Sequence, residues 1–106
     1  MKNPKIKTLD ITAKEWFDKQ NGNSYFAARI TINFGLPNAK VIPVTFQYGY
    51  GTHYQVICLK ELQKIGYFKN PAHIVSLWRN CEDQKIVLRT NKIEKCLKRD
   101  VIEWGS

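Results

Sequence analysis

Residues 24–33 alternate with a period of two. Phe26, Ala28, Ile30 and Ile32 fall on one side, and Tyr25, Ala27, Arg29 and Thr31 on the other. Only an extended strand sends successive side chains to opposite faces, so this run commits the chain to a sheet with one apolar face. Residues 34–39 supply turn formers, and residues 40–48 alternate again, with Ile42, Val44, Phe46 and Tyr48 on the apolar side. The two runs read as a hairpin. Pro43 has no N–H to give a ladder, so the second strand is expected to lie at an edge there or to carry a bulge.

Helical signals surround the hairpin. Thr12 and Glu15 have capping-box spacing, and Ile11 and Trp16 occupy staple positions, which predicts a short helix over 13–19 ended by Asn21-Gly22-Asn23. Thr52 and Gln55 form a second box, behind which Tyr54, Ile57, Cys58, Leu62 and Ile65 recur at helical spacing until Gly66. Asn70-Pro71 fits an N-cap and first helical turn, with Ile74, Leu77, Trp78 and Cys81 as the inner stripe of a third helix. Residues 85–89 read as a strand. Beyond them, either a helix runs through Ile93, Cys96, Leu97, Val101 and Trp104, or the strand continues to about Cys96 and a short helix covers 97–104. The expected fold is α+β: a small three-stranded antiparallel sheet packed on one face by three or four short helices. Residues 1–9 are expected to form a flexible basic arm, and residues 10–106 a single domain.

The net charge of +8 is unevenly spread. Residues 1–9 carry Lys2, Lys5 and Lys7 and no acid. Residues 84–99 carry Lys85, Arg89, Lys92, Lys95, Lys98 and Arg99 against Glu94 alone. Clustered cations release phosphate counterions on binding, so a polyanionic partner is the natural inference, with solubility as the plain alternative. On a helix, Lys92, Lys95 and Arg99 would share one face. No apolar run approaches the roughly 18 residues a membrane span needs, and no signal-peptide core follows the first residues, which points to the cytoplasm.

The sequence carries no motif that names a reaction. Cys58, Cys81 and Cys96 form an odd set without C-x-x-C spacing, which suits reduced thiols better than disulfides or a zinc site. His53 and Cys58 lie five residues apart, turning their side chains about 140° from one another on a helix. His73, in the first turn of the third helix, reads as structural. Gly49-Tyr50-Gly51 lacks the downstream residues of a phosphate-binding loop, so it reads as a strand-to-helix turn with Tyr50 exposed. No catalytic residue, cofactor or metal ligand is assigned. On the hairpin's outer face, Tyr25 and Arg29 would stand near Gln47, with the Tyr48–Tyr54 segment at one end. Aromatic rings and arginine planes on a sheet suit stacking on unpaired bases, and equally a protein hot spot.

The combination of Trp16-Phe17, Gly22-Asn23-Ser24-Tyr25, Arg29, residues 47–51 and, near the end, Leu97-Lys98-Arg99-Asp100 resembles small proteins of phages and prophages. That resemblance implies context rather than chemistry. It favours either nucleic-acid handling or inhibition of a host defence system in the manner of an anti-CRISPR protein. A basic inhibitor could not mimic DNA and would have to bind guide RNA, DNA or a host protein directly. The sequence reading is therefore a non-enzymatic binding protein that engages DNA, RNA or a host nucleoprotein. Its expected contacts are Tyr25, Arg29, Gln47, Tyr48, Tyr50, His53, Arg89, Lys92, Lys95, Lys98 and Arg99. The alternative is a protein-binding inhibitor acting through the tyrosine-rich loop.

Overall fold

The first turn of the sheet is built on Asp18. Its carboxylate accepts from the Gln20 and Asn21 backbone N–H groups and from the Asn21 side-chain amide, and its carbonyl accepts from Gly22 N–H at 2.8 Å. Led by the Asn21 amide, these bonds hold the Asp18 carboxyl below the usual carboxylate range. A computed structural model describes residues 5–68 and 76–106, and β1 (Thr8–Asp18) and β2 (Asn23–Ile32) flank this turn.

The region expected as a helix over 13–19 is thus a strand. Leu9, Ile11 and Ala13 alternate inward and pair with Ile32, Ile30 and Ala28, all buried. Burying that stripe outweighs the local capping pattern, and Thr12 and Glu15 lie on opposite faces of the strand rather than across a helical turn. The sheet also begins earlier than the expected arm allows, since Ile6 and Leu9 are buried. Asn33 fixes this entry: its side-chain oxygen accepts from Lys7 N–H at 2.7 Å, and its amide donates to the Lys5 carbonyl at 2.9 Å.

β3 (Lys40–Tyr48) pairs antiparallel with β2, and β4 (Val87–Ile93) pairs parallel with β1 on the far side. The order β3-β2-β1-β4 makes a four-stranded mixed sheet in place of the expected three antiparallel strands. The α+β class holds. Between β3 and β4 the chain crosses the apolar face as α1 (His53–Lys64) and α2 (Leu77–Asp83). Tyr54, Cys58, Leu59 and Leu62 of α1, with Leu77 and Cys81 of α2, join Phe26, Ile30 and Val44 in one core.

Two details of these helices differ from expectation. Thr52 precedes α1 but makes no side-chain cap bond. Trp78, expected inside, is 61% exposed, while Ser76 caps α2 by accepting from Arg79 N–H. Asn70, Pro71, His73 and Ile74 lie outside the described residues. Among the described residues no helix is long and apolar enough to cross a membrane.

The last helix, α3 (Lys98–Trp104), lies on the opposite face of the sheet, so helices cover both faces rather than one. Val101 is buried, and the Trp104 indole N–H donates to the Thr12 carbonyl at 2.7 Å. Gly105 presses on the sheet: a Cβ there would stand 2.6 Å from the Val44 carbonyl oxygen and 2.9 Å from the Ala27 Cβ.

Candidate binding surface

Pro43 lies on an edge strand with an irregularity nearby, as its missing N–H requires. Phe26 pairs with Gln47 and Ala28 with Val44, so two residues of β3 stand opposite Ala27 alone. This bulge reverses the facing of everything after it. Ile42 and Val44 face the core as expected, but Phe46 and Tyr48 turn to the outer face, and Gln47 goes to the inner one. Gln47 therefore does not stand beside Tyr25 and Arg29; its amide donates to the Thr45 carbonyl.

On the outer face the bulge completes a row of aromatic rings. Trp16 lies 5.6 Å from Tyr25, and Tyr25 stacks on Phe46 at 5.2 Å with only 5° between planes. Tyr48 meets the edge of Tyr25 at 5.9 Å. Lys98, at the start of α3, places its ammonium 5.2 Å from the Trp16 ring. Trp16, Phe46, Lys14 and Trp104 escaped the sequence reading as surface residues. The alternation of residues 8–16 and the Asn21-Gly22 turn could have found Trp16, but nothing local announces the bulge.

Arg29 is not free on this face. α3 covers it, with its guanidinium carbon 3.9 Å from the centre of the Trp104 ring and its Nε donating to the Trp104 carbonyl at 3.0 Å. Lys14 stands 4.5 Å from the same ring. Arg89 is likewise engaged, its Nε 2.6 Å from an Asp10 carboxylate oxygen.

The expected ridge of Lys92, Lys95 and Arg99 on one helix does not form. Lys92 belongs to β4 and points to the α1 face, Lys95 lies in the following loop with φ of +60°, and Arg99 is on α3. Lys92 is 18% exposed and lies 3.2 Å from Glu15 and 3.5 Å from Glu94, and it donates to the Gly51 carbonyl at 3.2 Å. Burial opposes its charge, but the hydrogen bond and attraction of Glu15, with help from Glu94, outweigh that and raise its pKa above the ordinary lysine value. It ties the glycine loop to the sheet.

Strand directions bring the β1–β2 turn, the end of β3 and the end of β4 to the same end of the sheet. Two hollows open there. One, of about 610 Å³, lies among Tyr48, Tyr50, His53 and Val56. The other, of about 640 Å³, is lined by Trp16, Phe17, Lys19, Lys95 and Leu97 among others. Tyr48 is 56% exposed and Tyr50 69%. Gly49 lies tight against the core: a Cβ there would meet Phe26 at 2.6 Å and His53 at 2.8 Å.

Among the described residues, no group of three or more His, Cys, Asp or Glu could hold a metal ion. The His53 ring meets Phe26 edge-on, whereas Cys58 is buried and its thiol is pushed up to about 12 by desolvation and by the Glu61 charge. A nucleophilic thiol needs the opposite shift. No protein-family model, curated protein or solved structure matches this chain.

Proposed function

We propose that this chain is a non-enzymatic, phage-type binding protein that engages nucleic acid, alone or within a host nucleoprotein, through one end of its sheet. One observation carries the reading. Exposed Tyr48 and Tyr50 share that end with Lys19, Lys95 and Lys98, none of which has an ion-pair partner among the described residues. Unpaired lysines attract phosphates and release their counterions, while tyrosine rings offer flat surface to bases. The excess positive charge of the chain favours the same class of partner.

A mobility-shift titration across salt concentrations tests the proposal. Affinity should fall steadily as salt rises, with a logarithmic slope set by the number of phosphates neutralised. Absence of binding at low salt, or binding with no slope, rejects the phosphate-driven reading.

The second reading is a protein-binding inhibitor of a host defence system. The hollow beside Tyr50 supports it, because exposed tyrosines with Val56 resemble the centre of a protein hot spot. Capture of a partner from host lysate before and after nuclease treatment separates the two, since only a direct protein contact survives nuclease.

A further inference from the structure

Resting on the nucleic-acid reading above, we infer that the hollow between Tyr48 and Val56 seats one unpaired base of a single strand, with the strand's phosphates lying outside it. Among the described residues, no carboxylate, ammonium or guanidinium lines this hollow. It is therefore not built to hold a phosphate, whereas two tyrosine rings, an imidazole and a valine suit a planar heterocycle. The Thr52 hydroxyl, the phenols and the His53 ring can meet base edges without a fixed donor–acceptor pattern, so many bases are acceptable.

The hollow is held in shape from behind. Gly49 lies so close to Phe26 and His53 that no side chain fits between them, and Lys92 holds the Gly51 carbonyl. Tyr48 is braced edge-on by Tyr25, and His53 by Phe26. Rings elsewhere on the outer face are occupied. Tyr25 and Phe46 face each other, Lys98 stands over Trp16, and Trp104 lies against both Arg29 and Lys14. Tyr48 and Tyr50 are the exposed tyrosines, and both border the hollow. A base inside a duplex is stacked on both sides and cannot enter without being flipped out.

The test is fluorescence anisotropy with a short labelled strand of mixed sequence, as DNA and as RNA. It is compared with the same strand annealed to its complement and with an abasic strand of equal length. The base-bearing single strand should bind roughly tenfold or more tightly than the abasic strand and the duplex. Tyr48→Ala and Tyr50→Ala should each remove about tenfold on the base-bearing strand and nothing on the abasic one, with the salt slope unchanged. Tyr48→Phe and Tyr50→Phe should keep most of the affinity, which separates ring stacking from a folding defect. Equal affinity for abasic and base-bearing strands overturns the base seat and leaves the nucleic-acid reading standing, and so does a preference for duplex. No binding to any strand at low salt overturns both.

Discussion

Arg29 of β2 and Trp104 of α3 are joined twice, by the guanidinium lying 3.9 Å from the indole ring and by an Nε hydrogen bond of 3.0 Å to the Trp104 carbonyl. The side chain read from sequence as an exposed binding group is the anchor of the C-terminal helix. Placing a cation on the face of a partly desolvated indole is favourable, and the carbonyl it satisfies is one of those a helix end leaves without an internal partner.

Trp104→Ala should therefore cost about 3 kcal/mol of unfolding free energy. It removes the ring between Arg29 and Lys14 and leaves the Thr12 carbonyl without the indole donor. Arg29→Lys keeps the charge but loses the planar stack and the Nε geometry, and should cost about 1 kcal/mol. Urea denaturation followed by tryptophan fluorescence measures both. A wild-type midpoint for Trp104→Ala would show that α3 contributes nothing to the fold.

Gly49→Ala forces a methyl group to within 2.6 Å of Phe26 and 2.8 Å of His53, neither of which is the end of a long flexible side chain. Overpacking of this kind costs about 1–3 kcal/mol. Because the same glycine forms the floor of the hollow, the substitution should also weaken any ligand that Tyr48 and Tyr50 hold. Thermal unfolding reads the first effect. A loss of ligand affinity in protein shown to remain folded reads the second.

Much of this arrangement could be read in the chain, for physical reasons that differ by element. The run from Phe26 to Ile32 alternates without a break because one face is wholly buried, and α1 shows its period because Tyr54, Cys58 and Leu62 share one buried stripe. β1 was hidden by a coincidence. Thr12, Glu15, Ile11 and Trp16 have the spacing of a helix start, and only pairing with β2 decides for a strand. The bulge opposite Ala27 left no local trace, yet it moves Phe46 and Tyr48 from core to surface and Gln47 the other way. The exposure of Tyr50 in a strand-to-helix turn was legible from the flanking glycines, but the hollow beside it was not. The engagement of Arg29 by Trp104 and of Arg89 by Asp10 was not legible either, because those partners lie 75 and 79 residues away in the chain.

The three thiols should respond very differently to reagents. Burial raises Cys58 to about 12 and Cys81 to about 11, while Cys96 is only half-buried. A thiol reagent at neutral pH should therefore modify Cys96 alone in the folded protein and all three in denaturant. The same shifts set an alkaline limit to stability. Above about pH 9 the unfolded chain loses thiol protons that the folded chain keeps, so stability should fall as pH rises from there toward the folded values. Lys92, whose folded pKa is raised, adds to the decline above the ordinary lysine value. Replacing Cys58 and Cys81 with alanine should flatten the fall between pH 9 and 10 relative to wild type, as measured by denaturation at each pH. An unchanged alkaline slope would mean that those thiols are not protected.

Lys92 and Lys98 differ by six positions and should behave in opposite ways. Lys92→Met removes the partner of Glu15 and the donor to the Gly51 carbonyl, and should cost about 2 kcal/mol of stability. Its ammonium is held on the inner side of the sheet, so its loss should leave the salt dependence of nucleic-acid binding unchanged. Lys98→Ala removes an exposed cation over Trp16. It should barely alter stability, since exposed cation–π contacts are worth about 0.5–1 kcal/mol, but lower the logarithmic salt slope by about one. Parallel denaturation and salt titrations on the two variants give the comparison. If Lys92→Met lowers the slope and Lys98→Ala does not, the phosphates lie on the α1 side of the sheet rather than beside the aromatic row.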